Sequence, residues 1–233
     1  VTTSGADENK YNIKWDGSTL TLDGAKIKGA DSSGSLSATV GIYAFNSSGD
    51  VSLNIALQGV NEIFESSYGI WVYSSSTNAG NATLTIEGEG SLKASGSSSG
   101  ILVQSNDGNA ALTIQNADVT AENSIYSGDG VTVRAGSSSA ASLSVNGGSL
   151  AAAGGGTHGA GIRFLFGSSD SSSRTPSLTV SGNAMVKASS DTGGITSNSS
   201  PVTPSGTGIV FNNGTGTVYG DVTLQEDLTI GEG

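Results

Sequence analysis

The chain has 233 residues, 36 of them Gly, with only three Pro, no Cys and a net charge of −11. With nine Lys plus Arg against 20 Asp plus Glu, a phosphate backbone or an anionic membrane surface would be repelled, so neither nucleic acid nor membrane insertion is expected. The lack of Cys removes disulfides and thiolate metal sites, and the length suits one large domain, 1–233.

In chain order, Val1 to Asn9 is polar and featureless and reads as the start of a mature or trimmed chain. Tyr11, Ile13 and Trp15 then alternate with Asn12 and Lys14, which predicts that 1–16 is an N-terminal capping region whose large side chains cover the first coil. From Leu20 onward a three-part motif returns about every 30 residues, a period that marks a solenoid. It opens with an alternating strand: Leu20-Thr21-Leu22, Leu53-Asn54-Ile55, Leu84-Thr85-Ile86, Leu112-Thr113-Ile114, Leu143-Ser144-Val145, Leu178-Thr179-Val180 and Val222-Thr223-Leu224. A corner residue follows at Gly24, Gly59, Gly88, Asn116, Gly147 and Gly182, where a sharp bend wants the left-handed backbone that Gly and Asn tolerate.

A second short strand is built around Ile27, Ile63, Leu92, Val119, Leu150, Val186 and Leu228. A third opens on glycine at Gly41, Gly69, Gly100, Gly130, Gly161 and Gly208. Period-2 alternation turns Leu and Ile inward and Thr outward, so equivalent strands should stack in parallel, coil on coil. This predicts an all-β, single-domain, right-handed parallel β-helix of about six to seven coils, with three short strands per coil. A propeller blade needs four antiparallel strands and a longer period, and a leucine-rich repeat needs a signature this chain lacks. The Ser- and Gly-rich stretches Ser74 to Gly80, Ser137 to Ala140, Gly167 to Thr175 and Asp191 to Ser205 read as loops from one edge. Leu228-Thr229-Ile230 ends without an amphipathic cap, which predicts that the domain is excised from a longer polypeptide.

The order Trp15, then Thr19-Leu-Thr-Leu-Asp-Gly-Ala, then Gly41-Ile-Tyr-Ala, then Val222-Thr-Leu-Gln-Glu-Asp-Leu-Thr-Ile resembles repeat regions of secreted or cell-surface proteins of gut Firmicutes. Some of these are similar to the clostridial carbohydrate-binding β-helix family, which shares the pectate-lyase-like fold. The resemblance covers nearly the whole chain and rests on structural positions. It implies an extracellular, secreted or cell-wall-associated place, while the family's calcium and acid-sugar contacts find no matching acidic motif here.

Function is read from the third strand. After each glycine, the first and third residues (Ile42 and Ala44, Ile70 and Val72, Ile101 and Val103, Val131 and Val133, Ile162 and Phe164) should point inward. The second and fourth then point outward: Tyr43 and Phe45, Trp71 and Tyr73, Leu102 and Gln104, Thr132 and Arg134, Arg163 and Leu165. With coils about 4.8 Å apart, Tyr43, Phe45, Trp71 and Tyr73 form an aromatic ladder with Gln104, Arg134 and Arg163 farther along. Aromatic faces stack on sugar C–H faces, and Gln and Arg bond hydroxyls or carboxylates, so a glycan is the expected partner. Rings that only brace the sheet or lie under loops would instead fit a spacer or stalk of a large surface protein.

A third reading, an acid-polysaccharide lyase, needs an Arg or Lys base beside carboxylates. The outward ladder around Arg134 and Arg163 holds no acid, and Asp129 and Asp170 read as loop residues. Glu87 and Glu89 flank a corner, and His158 sits in a Gly-rich loop, so neither reads as catalytic. Calcium is the one cofactor left open, at the Asp-bearing turns of Asp50, Asp107 and Asp129, although turn formation accounts for all three and the metal ligands stay unknown. The expectation is a non-catalytic extracellular domain for adhesion or carbohydrate binding, monomeric within its larger chain.

Overall fold

The computed structural model describes residues 11–31, 38–123, 125, 127–167 and 174–220. Among these there is no helix, and the chain forms a parallel β-solenoid of two sheets. The motif strands at Val222 and Leu228, the end at Ile230 and the acid Asp170 lie outside the described residues.

The first-strand stack is built from β2 (Thr19–Asp23), β6 (Val51–Gln58), β9 (Ala82–Glu87), β12 (Ala110–Asn123), β14 (Ala141–Ala153) and β16 (Ser177–Ser181), with the two-residue β19 (Ser205–Gly206) paired to β16. The second stack contains β3 (Lys26–Lys28), β7 (Val60–Phe64), β10 (Ser91–Gly96), the far halves of β12 and β14, β17 (Met185–Ser189) and β20 (Ile209–Asn212). Three strands per coil therefore holds except where β12 and β14 run unbroken round the corner. There Gln115 pairs with Asn146 and Ala117 with Gly148, so Asn116 and Gly147 are passed over as the bend and the ladder resumes at once. Every corner named from the sequence has a positive φ, from 52° at Asn116 to 107° at Gly88. These are angles that a β-branched or bulky side chain resists.

The third stack forms the second sheet: β5 (Thr39–Asn46), β8 (Tyr68–Ser74), β11 (Ser99–Ser105), β13 (Asp129–Ala135), β15 (Ile162–Phe166) and β18 (Ile195–Ser197). Six stacked layers enclose about five turns, fewer than the six to seven coils expected, because a turn is a step between layers. The glycine opening the sixth layer is Gly194, not Gly208, so the stretch from Asp191 to Ser205 is not simply a loop. The chain after Gly208 instead joins the second stack, with Ile209 beside Met185. The glycine stack has a steric cause: a Cβ added at Gly41, Gly69, Gly100, Gly130 or Gly161 would lie 2.5–2.9 Å from the next glycine's carbonyl oxygen.

One continuous core runs up the axis. Leu84, Ile86, Ile114, Val145, Leu178 and Val180 from the first stack meet Ile70, Ile101, Val131, Ile162 and Phe164 from the third, all essentially sealed from solvent. In the second coil the corner is displaced by two residues, so Leu92 faces Asn61 and Ile63 pairs with Ala94. A two-residue shift preserves the inward face. It places buried Asn61 in the core, where its Oδ1 accepts from Ala25 N and its Nδ2 donates to the carbonyls of Gln58 and Ser91. The second corner carries a ladder that sequence patterning did not show: Asn81 N donates to Asp50 Oδ1, Asn109 N to Asn81 Oδ1, and Ala140 N to Asn109 Oδ1.

Antiparallel strands border the stacks. Near the N-terminus β1 (Ile13–Trp15) pairs with β2, and β4 (Ala30–Asp31) pairs with β5. At the other end β21 (Thr215–Val218) folds back on β20. Of the region 1–16 expected to cap the first coil, 1–10 lie outside the described residues, and in β1 Ile13 is 37% and Trp15 54% exposed. This strand satisfies the edge through backbone hydrogen bonds and does not shield the core with its rings.

Candidate functional site

The inward and outward parity of the third strand holds for the core: Ile42, Ile70, Val72, Ile101, Val103, Val131, Val133, Ile162 and Phe164 are buried, and Ala44 is half-buried. Register places Tyr43 beside Trp71 and Phe45 beside Tyr73. It continues through Leu102 and Gln104 to Thr132 and Arg134, then Arg163 and Leu165.

The rings do pack, but not as four exposed planes. Tyr43 and Phe45 are 37% and 49% exposed, with centroids 5.8 Å apart and planes 13° from parallel. Trp71, expected to face solvent, is only 7% exposed. Its ring lies 5.3 Å from Tyr43, 4.7 Å from Tyr68 and 5.4 Å from Tyr73, and it clusters with Val40 and Leu102. Its Nε1 is buried without a hydrogen-bond partner. Tyr73 is half-buried, lies 5.6 Å from Phe45, and donates its hydroxyl to Asn106 Oδ1 at 3.3 Å. Burial, and then Tyr73, hold the Tyr43 phenol above its ordinary range.

Tyr68 is a member that sequence reasoning missed. The strand bends at each glycine, so the residue before it shares the outer face with the residue two after it. Val40, Tyr68, Ser99 and Asp129 occupy this position, and their repeated place ahead of a glycine is the signal that would have found them.

The same geometry corrects the acid-free ladder. Asp129 opens β13 and is no loop residue; its Oδ1 accepts from Arg163 Nε at 2.9 Å and from Ala160 N, while its Oδ2 accepts from Thr132 Oγ1. Arg163 also donates through Nη2 to the His158 carbonyl. Acid and arginine thus stand together, yet both carboxylate oxygens are taken. Arg134 is exposed and, among the described residues, joins no ion pair. Gln104 is half-buried and donates to Asn106 Oδ1 at 3.4 Å.

Elsewhere, Glu87 and Glu89 edge a groove of about 680 Å³ at the first corner, among Gln58, Gln115 and Asn116. Asp50 spends Oδ1 on the asparagine ladder, and among the described residues no three His, Cys, Asp or Glu side chains gather as metal ligands. No family model, no curated protein and no solved structure matches the chain.

Proposed function

We propose that the protein is a non-catalytic binding domain of an extracellular surface protein and holds a glycan against the ledge formed by Tyr43 and Phe45. The observation that carries this is the exposure of two nearly parallel rings next to the buried Trp71. A ledge already held by Trp71 and Tyr73 loses little conformational freedom when a sugar ring stacks on it. Gln104 and Asn106 offer hydrogen-bonding groups in the same outer rows, and exposed Arg134 lies farther along. Trp71, beside Tyr43 in the next layer, braces the ledge and does not itself touch the ligand. The extracellular placement rests on the resemblance of the repeats to those of secreted proteins.

A stacked ring contributes about 1 kcal/mol, so binding in the millimolar to micromolar range is expected. The test is a glycan array probed with the domain, followed by Tyr43→Ala and Phe45→Ala on any hit. Both variants should lose binding with little change in melting temperature. An array without hits, or binding that survives both substitutions, refutes the ledge.

The burial of Trp71 favours a second reading, a stalk whose rings only brace the sheet. That reading takes over if no glycan binds. A lyase is disfavoured because Asp129 and Arg163 are occupied by each other and by Thr132, Ala160 and His158. Incubation with pectate and calcium should release no unsaturated product.

A further inference from the structure

At the far end of the same outer face a cleft of about 270 Å³ opens between the 157–158 turn and the layers of β15 and β18. We propose that it is a second binding site, separate from the ring ledge, for one small polyhydroxylated carboxylate of charge −1. Arg163 stands in the same row as Tyr43 but four layers on, about 19 Å away at the usual strand spacing. A ligand of one sugar ring cannot span both places.

The lining fixes the ligand chemistry. Asp129 takes Arg163 Nε and the His158 carbonyl takes one Nη2 hydrogen, so that side of the guanidinium is filled. Nη1 and one Nη2 hydrogen take no partner among the described residues, and together they can donate to a planar carboxylate. Asp129 offsets the charge of Arg163 in a chain of net charge −11, so the donors of the cleft and not its net charge hold the single carboxylate, and each further negative charge on the ligand adds repulsion.

The remaining walls suit hydroxyl groups and one apolar face. His158 engages Thr157 through Nδ1, which leaves Nε2, and Thr192 Oγ1 donates to the Gly159 carbonyl while keeping lone pairs to accept. Leu165 supplies the apolar wall, and Thr196, beside Arg163 in the register, also lines the cleft, its Oγ1 buried without a partner. The volume falls below the range of drug-sized pockets, which limits the occupant to about one ring.

His158 is the only histidine, so its imidazole proton resonances report on this cleft without further assignment. At constant pH, sodium glucuronate should shift them saturably with a millimolar midpoint, whereas glucose and inorganic sulfate should not. Arg163→Lys, which keeps the charge but loses the fork, should weaken glucuronate at least about tenfold. Leu165→Trp fills the cleft from an outward position and should abolish the shift, with the Asp129–Arg163 pair intact. An oligomer of three glucuronate residues separates the sources: an equal shift assigns the site to a chain end, and none assigns it to the free acid. Unmoved resonances with glucuronate, an equal response to sulfate or glucose, or a full response in folded Leu165→Trp would overturn the proposal. Each of these outcomes can occur whether or not Tyr43 and Phe45 bind a glycan.

Discussion

Replacing Ile114 by Asp tests the inward and outward assignment on which the fold rests. Ile114 is fully buried, and its register partners Ile86 and Val145 are equally sealed. Losing its burial removes about 1.5–3 kcal/mol. The new carboxyl has no cation or donor provided for it, so in this apolar layer it stays protonated. Holding a group of pKa near 3.9 neutral at pH 7 costs about 4 kcal/mol, at 1.36 kcal/mol for each of roughly three units. The sum, about 6 kcal/mol, is a large part of the 5–15 kcal/mol that holds a typical domain together. Thr113, its neighbour, is half-exposed on the outer face beside Thr85 and Ser144, so Thr113→Asp should stay within about 0.5 kcal/mol of the parent. Urea unfolding followed by circular dichroism at pH 7 reads both. Because the buried carboxyl has a raised folded pKa, the deficit of Ile114→Asp is full near neutrality and shrinks as pH falls toward 4. Equal losses in the two variants, or a deficit that deepens on acidification relative to the parent, would refute the parity.

Two glycines separate close approach from backbone strain. Gly17 and Gly88 share a positive φ of 101° and 107°, but a Cβ at Gly88 would sit 2.5 Å from the Leu57 carbonyl oxygen while one at Gly17 meets nothing within 4 Å. Gly17→Ala should therefore cost about 1–2 kcal/mol and Gly88→Ala at least twice that, read as melting temperatures; equal effects would remove the steric account. Trp71→Ala should destabilise by about 3–5 kcal/mol, as an emptied aromatic site does, and a nearly unchanged urea midpoint would return Trp71 to the exposed ladder. Backbone hydrogen bonds from Thr19 and Ser18, then the Ser18 hydroxyl, lower the Asp16 pKa below its usual 3.8. Its support of the β1–β2 turn is therefore present above pH 3.8 and lost as pH falls through the folded value. Carboxyl NMR should place the Asp16 midpoint below 3.8 and move it upward in Ser18→Ala; a midpoint at or above 3.8 in the parent contradicts this.

The solenoid was legible because its determinants are local and repeated. Corner residues such as Gly24, Asn116 and Gly182 announce a backbone angle, and triplets such as Leu84-Thr85-Ile86 announce a face. Register was less legible. The late corner at Gly59 was visible, two residues farther past its Leu53-Asn54-Ile55 triplet than the others, but not that Leu92 would then meet Asn61, because alternation of period 2 is blind to an even shift. The sixth layer was misplaced for a related reason. Gly194-Ile195-Thr196 lies in a polar stretch without the apolar alternation that marks the other layers, while Gly208-Ile209-Val210 carries the pattern and belongs to another stack.

The candidate site was legible in membership but not in depth. Parity puts Tyr43, Phe45, Trp71 and Tyr73 on one outer face, and they are there. It cannot say how large side chains on a flat surface divide the solvent among themselves. That depends on Tyr68, which parity counted from the glycine leaves out because the strand turns over at that residue. Once Tyr68, Val40 and Leu102 surround the indole, the largest ring sinks to the floor and the two rings at the sheet's end stay exposed. The same turn brings Asp129 to Arg163. One bend per coil, fixed by glycines that stack against the next coil's carbonyl oxygens, thus separates a row of outward residues into a ring ledge at one end and a charged cleft at the other.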